Sequence, residues 1–163
     1  MNKEIIKYPS PVLRKKSQEV EKVTEETKRL GWDMIETMEE RKGIGLAGPQ
    51  VGELKRVITV QLEKPLIFIN PKILKKTKET EAREEGCLSF PGLFLKIKRH
   101  KGVEIEALNE KGEKINFEAV GLPARILQHE IDHLDGILFI DRTGFWQRLK
   151  IRNKLRQILK PPS

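Results

Sequence analysis

The chain has 163 residues, of which 37% are hydrophobic and 34% charged. That is one ordinary domain, large enough for a core of its own and too rich in spaced aliphatic residues for a disordered chain. No run of 18 apolar residues offers a membrane span, and one cysteine excludes an internal disulfide.

The start, Met1-Asn2-Lys3-Glu4, lacks the apolar core of a signal peptide, so the expected location is the cytoplasm. The net charge of +8 is uneven. From Arg142 to Ser163 there are seven basic residues and no acid, which leaves +1 for the first 141 residues.

Tyr8-Pro9-Ser10-Pro11 predicts a turn, with Ser10 capping a short helix that has Pro11 in its first turn. Thr24 opens a second helix, in which Leu30, Met34, Ile35 and Met38 recur at helical spacing. Gly43 is expected to end it. Gly43–Gly52 reads as a glycine-rich loop. Arg56–Gln61 and Leu66–Asn70 predict strands, and residues 72–85 an extended charged ribbon. Leu95–Lys98 and Val103–Glu106 alternate apolar and polar residues, as half-buried strands do. Asn109–Gly112 is a hairpin-like turn before a strand at Ile115–Val120. A helix follows from Pro123 to about Leu134, stopping near Gly136. A last amphipathic helix covers Phe145 to Leu159, before Pro161-Pro162. The order predicts an α+β domain, with a helix packed on curved sheets.

His129-Glu130-Ile131-Asp132-His133 is H-E-x-x-H on a predicted helix. Four residues make just over one turn, so both imidazoles leave one face and can grip one metal ion. Glu130 then lies within reach of a water beside that ion. A catalytic site needs about three protein ligands. The remaining histidine, His100, sits between Arg99 and Lys101. No histidine follows His133, no glutamate follows Glu130, and Asp135 and Asp141 crowd the helix end. Cys87 is the best third ligand, on the bend Glu84–Gly92. One thiolate and two imidazoles suit zinc or ferrous iron.

Three segments in order, Gly43–Gln50, Glu85–Ser89 and Gln128–His133, resemble the peptide deformylases, with their G-x-G-x-A-A-P-Q loop, E-G-C-L-S segment and Q-H-E-x-D-H helix. The family usually has alanine where this chain has Gly48, which predicts a looser loop around Gln50. The resemblance implies curved antiparallel or mixed sheets around a central helix that carries the metal ligands Cys87, His129 and His133.

It also implies removal of the formyl group from the N-terminal formyl-methionine of new polypeptides. Glu130 would take the proton of the attacking water and return one to the amine. The backbone N–H of Leu88 and the amide of Gln50 would hold the oxyanion. Ile44, Gly45, Leu122 and Ile126 would receive the methionine. An acid–base pair of Glu85 and Arg99 would brace the metal loop. Fe2+ is the expected ion, with Zn2+, Ni2+ or Co2+ able to replace it. The basic last helix implies weak docking on the ribosome. A zinc peptidase or a non-catalytic RNA-associated protein remains as an alternative, but the first lacks a downstream ligand and the second gives Glu130 no purpose.

Overall fold

The computed structural model describes residues 1–159. The expectations placed on Lys160 and Pro161-Pro162 lie outside the described residues. The described residues form seven strands and three α-helices: α1 (Glu25–Glu40), β1 (Gly45–Ala47), β2 (Val57–Gln61), β3 (Pro65–Lys76), β4 (Thr80–Cys87), β5 (Phe90–His100), β6 (Gly102–Leu108), β7 (Lys114–Val120), α2 (Leu122–Leu134) and α3 (Phe145–Leu159).

β1, β2, β3, β6 and β7 form a five-stranded sheet in that order, while β4 and β5 form a separate two-stranded one. Every strand pairing is antiparallel. Register shifts in β3 and at Gly86/Cys87 bend the ribbons, because an extra residue on one strand increases the local twist. At one bend Asn70 adopts φ 52, a left-handed conformation that asparagine tolerates. There its side-chain amide bonds both backbone groups of Val20, at 2.8 Å each.

The apolar stripe of α1 reads as its spacing predicts: Leu30, Met34, Ile35 and Met38 are buried against Leu46, Val57 and Ile69. Thr24 caps it through Thr27. The helix ends earlier than expected. Arg41 is its C-cap and Lys42, not Gly43, takes the left-handed turn at φ 57. Gly43 instead donates its N–H to Met38 O at 2.9 Å. Ser10 precedes the 3-10 turn Pro11–Arg14 without a side-chain cap bond.

The expected loop Gly43–Gly52 holds regular structure: β1 and a 3-10 turn at Gly48–Val51. A three-residue strand is too short to show a period, so it escapes sequence patterning. The expected strands after it are present, and β3 and β5 run longer than predicted.

α2 sits centrally and is buried on all sides from Ala124 to Leu134. It packs Ala124, Ile126, Leu127 and Ile131 against Val60, Phe68 and Ile105 of the large sheet. A third cluster joins Leu13, Phe90, Leu93, Ile97, Phe139 and Ile140 to Ile151 of α3. No helix among the described residues is long and apolar enough to cross a membrane.

Candidate active site

A helix buried all round has no solvated face for polar side chains, so each polar residue on it needs a partner inside the protein. α2 carries six: Arg125, Gln128, His129, Glu130, Asp132 and His133. Gln128 clamps the end of β5, donating to His100 O at 2.8 Å and accepting from His100 N at 3.0 Å. His100 turns its ring to Thr77 O and is not a third imidazole of the cluster.

Cys87 ends β4, just before the two-residue turn Leu88-Ser89. Its Sγ lies 3.4 Å from Nε2 of His133. One donor atom each from Cys87, His129 and His133 lies within 4.8 Å of the others. Nδ1 of His129 meets Glu85 Oε1 at 2.8 Å, which leaves Nε2 to face the cluster. A tetrahedral ion with ordinary sulfur and nitrogen bond lengths separates neighbouring donors by about 3.5 Å. The Cys87–His133 separation of 3.4 Å meets that spacing, and the other donors lie within 4.8 Å.

The electrostatics agree. Burial depresses the His129 imidazole, but the neighbouring Cys87 and Glu85 outweigh it and push it upward, so the site favours positive charge at this point. Burial and the nearby His129 and Arg99 hold His133 well below its usual range, as a neutral nitrogen donor.

Glu130 stands beside the cluster, with Oε1 3.9 Å from His129 Nε2. Its Oε2 is buried and has no hydrogen-bond partner among the described residues. Burial pushes its carboxyl up to about 7, against the pull of His129. A carboxyl with a pKa near neutrality can both take and give a proton. Gly45 makes room for it: a Cβ there would lie 2.8 Å from Glu130 Oε1.

The glycine loop supplies Gln50, which is 1% exposed. Its Oε1 accepts from Ala47 N at 3.0 Å; its Nε2 donates to Ser89 Oγ at 3.1 Å and Cys87 Sγ at 3.5 Å. The loop is therefore pinned rather than loosened by Gly48. A Cβ on Gly48 would sit 2.6 Å from both Glu53 O and Lys55 O, so the backbone passes where a methyl would be.

One cleft of about 530 Å³ is lined by Cys87, His129, Glu130, Gln50 and Leu88, and also by Ile44, Gly45, Leu122 and Ile126. His133 lies behind it, 1% exposed. Ile44 and Leu122 stand at the mouth, whereas Ile126 is buried.

The Glu85–Arg99 pair is no surface pair: their side chains are 5% and 4% exposed. Arg99 binds Glu85 through Nε and Nη2 at 2.9 and 3.0 Å, and Asp132 through Nη1 at 2.7 Å. Arg125 adds a 2.6 Å bond to Glu85, and Arg142 grips Asp132 from outside. Burial raises the Glu85 carboxyl, yet the bonds from His129 and Arg99 prevail and hold it at about 2. Sequence reasoning named Glu85 and Arg99 but missed Arg125, Asp132 and Ser89. Ser89 and Asp132 lie within the motif segments, which could have signalled them; Arg125 lies outside all three and had no such signal.

A family profile described as polypeptide deformylase matches residues 2–148. The peptide deformylase of Pseudothermotoga lettingae is 46% identical over 160 residues, covering 98% of this chain and 94% of its own. That of Clostridium botulinum is 53% identical over 140 residues, covering 85% and 95%. The crystal structure of peptide deformylase from Ehrlichia chaffeensis superposes with a TM-score of 0.90 at 34% identity, covering 100% and 99%. With this Cys–His–His–Glu cluster at its centre, the chain belongs to the peptide deformylases, metal-dependent hydrolases of a linear amide that remove the N-formyl group from newly made polypeptides.

Proposed function

We propose that Cys87, His129 and His133 hold one divalent metal ion and that Glu130 is the acid–base catalyst beside it. The observation that carries this reading is the convergence of the three donors next to the unpartnered Glu130 Oε2, on the wall of an apolar cleft. A bound ion supplies Lewis-acid polarisation of the formyl group and an acidified water. Glu85 keeps the His129 proton on Nδ1, so that Nε2 offers its lone pair.

Glu130 accepts a proton from the attacking water and delivers one to the departing amine. The Leu88 N–H and the Gln50 amide hold the oxyanion. For Gln50 this means exchanging its 3.5 Å contact to Cys87 Sγ, the longer of its two donations, for the substrate oxygen. The methionine side chain occupies the apolar space between Ile44, Gly45, Leu122 and Ile126. β1 is the last strand of its sheet, so one of its edges is open to backbone pairing by an extended nascent chain.

The expected ion is Fe2+, with Zn2+, Ni2+ or Co2+ as alternatives; a thiolate ligand beside iron makes activity oxygen-sensitive. Equal activity of aerobic and anaerobic preparations would count against iron. The chain acts as one catalytic domain in the cytoplasm. Its basic last helix docks weakly on the ribosome, where formyl-methionine chains emerge.

The test is formate release from a formyl-Met-Ala-type peptide by protein loaded anaerobically with ferrous iron. Glu130→Ala should lower the rate by at least about a hundredfold while the fold and metal content persist. A folded, loaded Glu130→Ala protein with the parent's rate would remove Glu130 from this role.

A further inference from the structure

The mouth of the cleft carries three basic side chains. Lys7, Arg41 and Lys42 line it, Arg41 and Lys42 shortly before Ile44 in the chain, and all three are exposed. None forms an ion pair among the described residues. The other charged groups on the cleft wall are accounted for. Glu85 and Arg125 are buried and paired, His129 and Glu130 belong to the centre, and Glu84 stands exposed on β4. The concentration is local, since the first 141 residues carry only +1.

The path of a bound chain brings it to these cations. Gly45 abuts Glu130, for a Cβ on it would lie only 2.8 Å from the carboxylate Oε1. Beyond Gly45, β1 runs inward to Leu46 and Ala47, which are fully buried. The way out is back along Ile44, 51% exposed, toward Lys42 and Arg41. Lys42 lies three residues from Gly45, so at most about 10 Å away even if the chain between them were extended. An extended nascent chain with its formyl group at Glu130 therefore passes the rim with roughly its third to fifth residues.

The backbone adds a second observation. Lys42 holds the left-handed position at the end of α1, φ 57, where glycine is the least strained residue. The chain carries a lysine there, at the cleft mouth.

We propose that Lys7, Arg41 and Lys42 form a cationic rim that favours formylated chains carrying aspartate or glutamate at about the third to fifth residue. The proposal rests on the cleft assignment made above. It adds a preference read from charge, at a distance from the reacting bond. Because the rim touches the chain alike before and during reaction, its effect falls on KM and leaves kcat level.

The experiment compares formate release from formyl-Met-Ala-Asp-Glu-Ser, formyl-Met-Ala-Lys-Lys-Ser and the neutral formyl-Met-Ala-Ser-Ser-Ser, using metal-loaded protein at low salt. The acidic peptide should exceed the basic one in kcat/KM by about five- to tenfold, through KM. The gap should close above about 0.5 M salt, where the screening length is only a few ångströms. In Arg41→Glu/Lys42→Glu the order should invert. Lys42→Gly, which the left-handed backbone accepts, should narrow the ratio part-way and guards against misfolding of the double variant. Turnover of the neutral peptide without discrimination between the charged ones overturns the rim alone. So does a ratio unmoved by the charge reversal. No release from any of the three peptides removes both the rim and the cleft assignment.

Discussion

Gly48 marks the point where a residue's meaning depends on backbone far from its neighbours' side chains. Read along the chain, glycine in place of the family's usual alanine predicts a looser loop. In space, the carbonyls of Glu53 and Lys55 fill the volume of the missing methyl. Backbone oxygens move less readily than a flexible side chain, so Gly48→Ala should cost about 1–3 kcal/mol by overpacking. This exceeds the roughly 0.4–1 kcal/mol that the lost glycine freedom in the unfolded chain would return. The urea midpoint of the variant checks the sign; a higher midpoint would mean that the loop relaxes around the methyl. Cys87 shows the opposite case. Elimination among the few possible ligands led to it from sequence, and its Sγ does face His133 Nε2. The ligand types were legible because they are scarce. Arg125 was not, because nothing in its local spacing distinguishes a buried arginine from a solvated one.

At the scale of elements, α2 is held by charge as much as by apolar contact. Arg99 on β5 bridges Glu85 on β4 to Asp132 on α2, all three buried. Without Arg99, Glu85 keeps Arg125 and His129, and Asp132 keeps Arg142, so each buried carboxylate is left under-paired rather than alone. Arg99→Ala should therefore destabilise by about 1–3 kcal/mol, measurable by denaturant unfolding. It should also weaken metal binding roughly 10-fold, since Glu85 would lose one of the partners that orient it toward His129. Unchanged affinity in a chelator competition would separate the network from the metal site.

α3 divides its faces only in part. Ile151, Leu155 and Ile158 pack on the third core cluster, while Phe145, Trp146, Leu149 and Leu159 are exposed together with Arg148, Arg152 and Arg156. Deleting residues 146–163 would uncover that cluster, so charge reversal is the cleaner test of ribosome docking. Three phosphate contacts imply a fall in affinity of roughly 40-fold between about 50 and about 200 mM salt. Reversing the three arginines should abolish co-sedimentation with ribosomes, and persistence would refute docking by this face.

On the scale of the whole molecule, the proposed metal site joins the end of β4 to the central helix, two elements that belong to different core clusters. An ion bound there by the native state alone stabilises it by about 2.7 kcal/mol at a free concentration of 100 times Kd. Chelation should lower the unfolding midpoint accordingly, and Cys87→Ala should remove that dependence on metal. A midpoint indifferent to chelator would contradict a site spanning these elements.

The sequence by itself determined what is local. Periodicity placed α1, α2, α3 and most strands, because a face buried in a regular element repeats at that element's own period. H-E-x-x-H needed only one turn of helix to bring two imidazoles together. The tertiary structure decided what depends on separation. Glu85 meets Arg125 and His129 across 40 and 44 residues, and Arg99 meets Asp132 across 33. It also decided that β1 exists, that Gly48 is filled by backbone, and that Lys7, Arg41 and Lys42 line one cleft with the site. The long-range pairs follow from burying α2 on every side: its polar residues then need partners, and only the folded chain brings partners that far apart together.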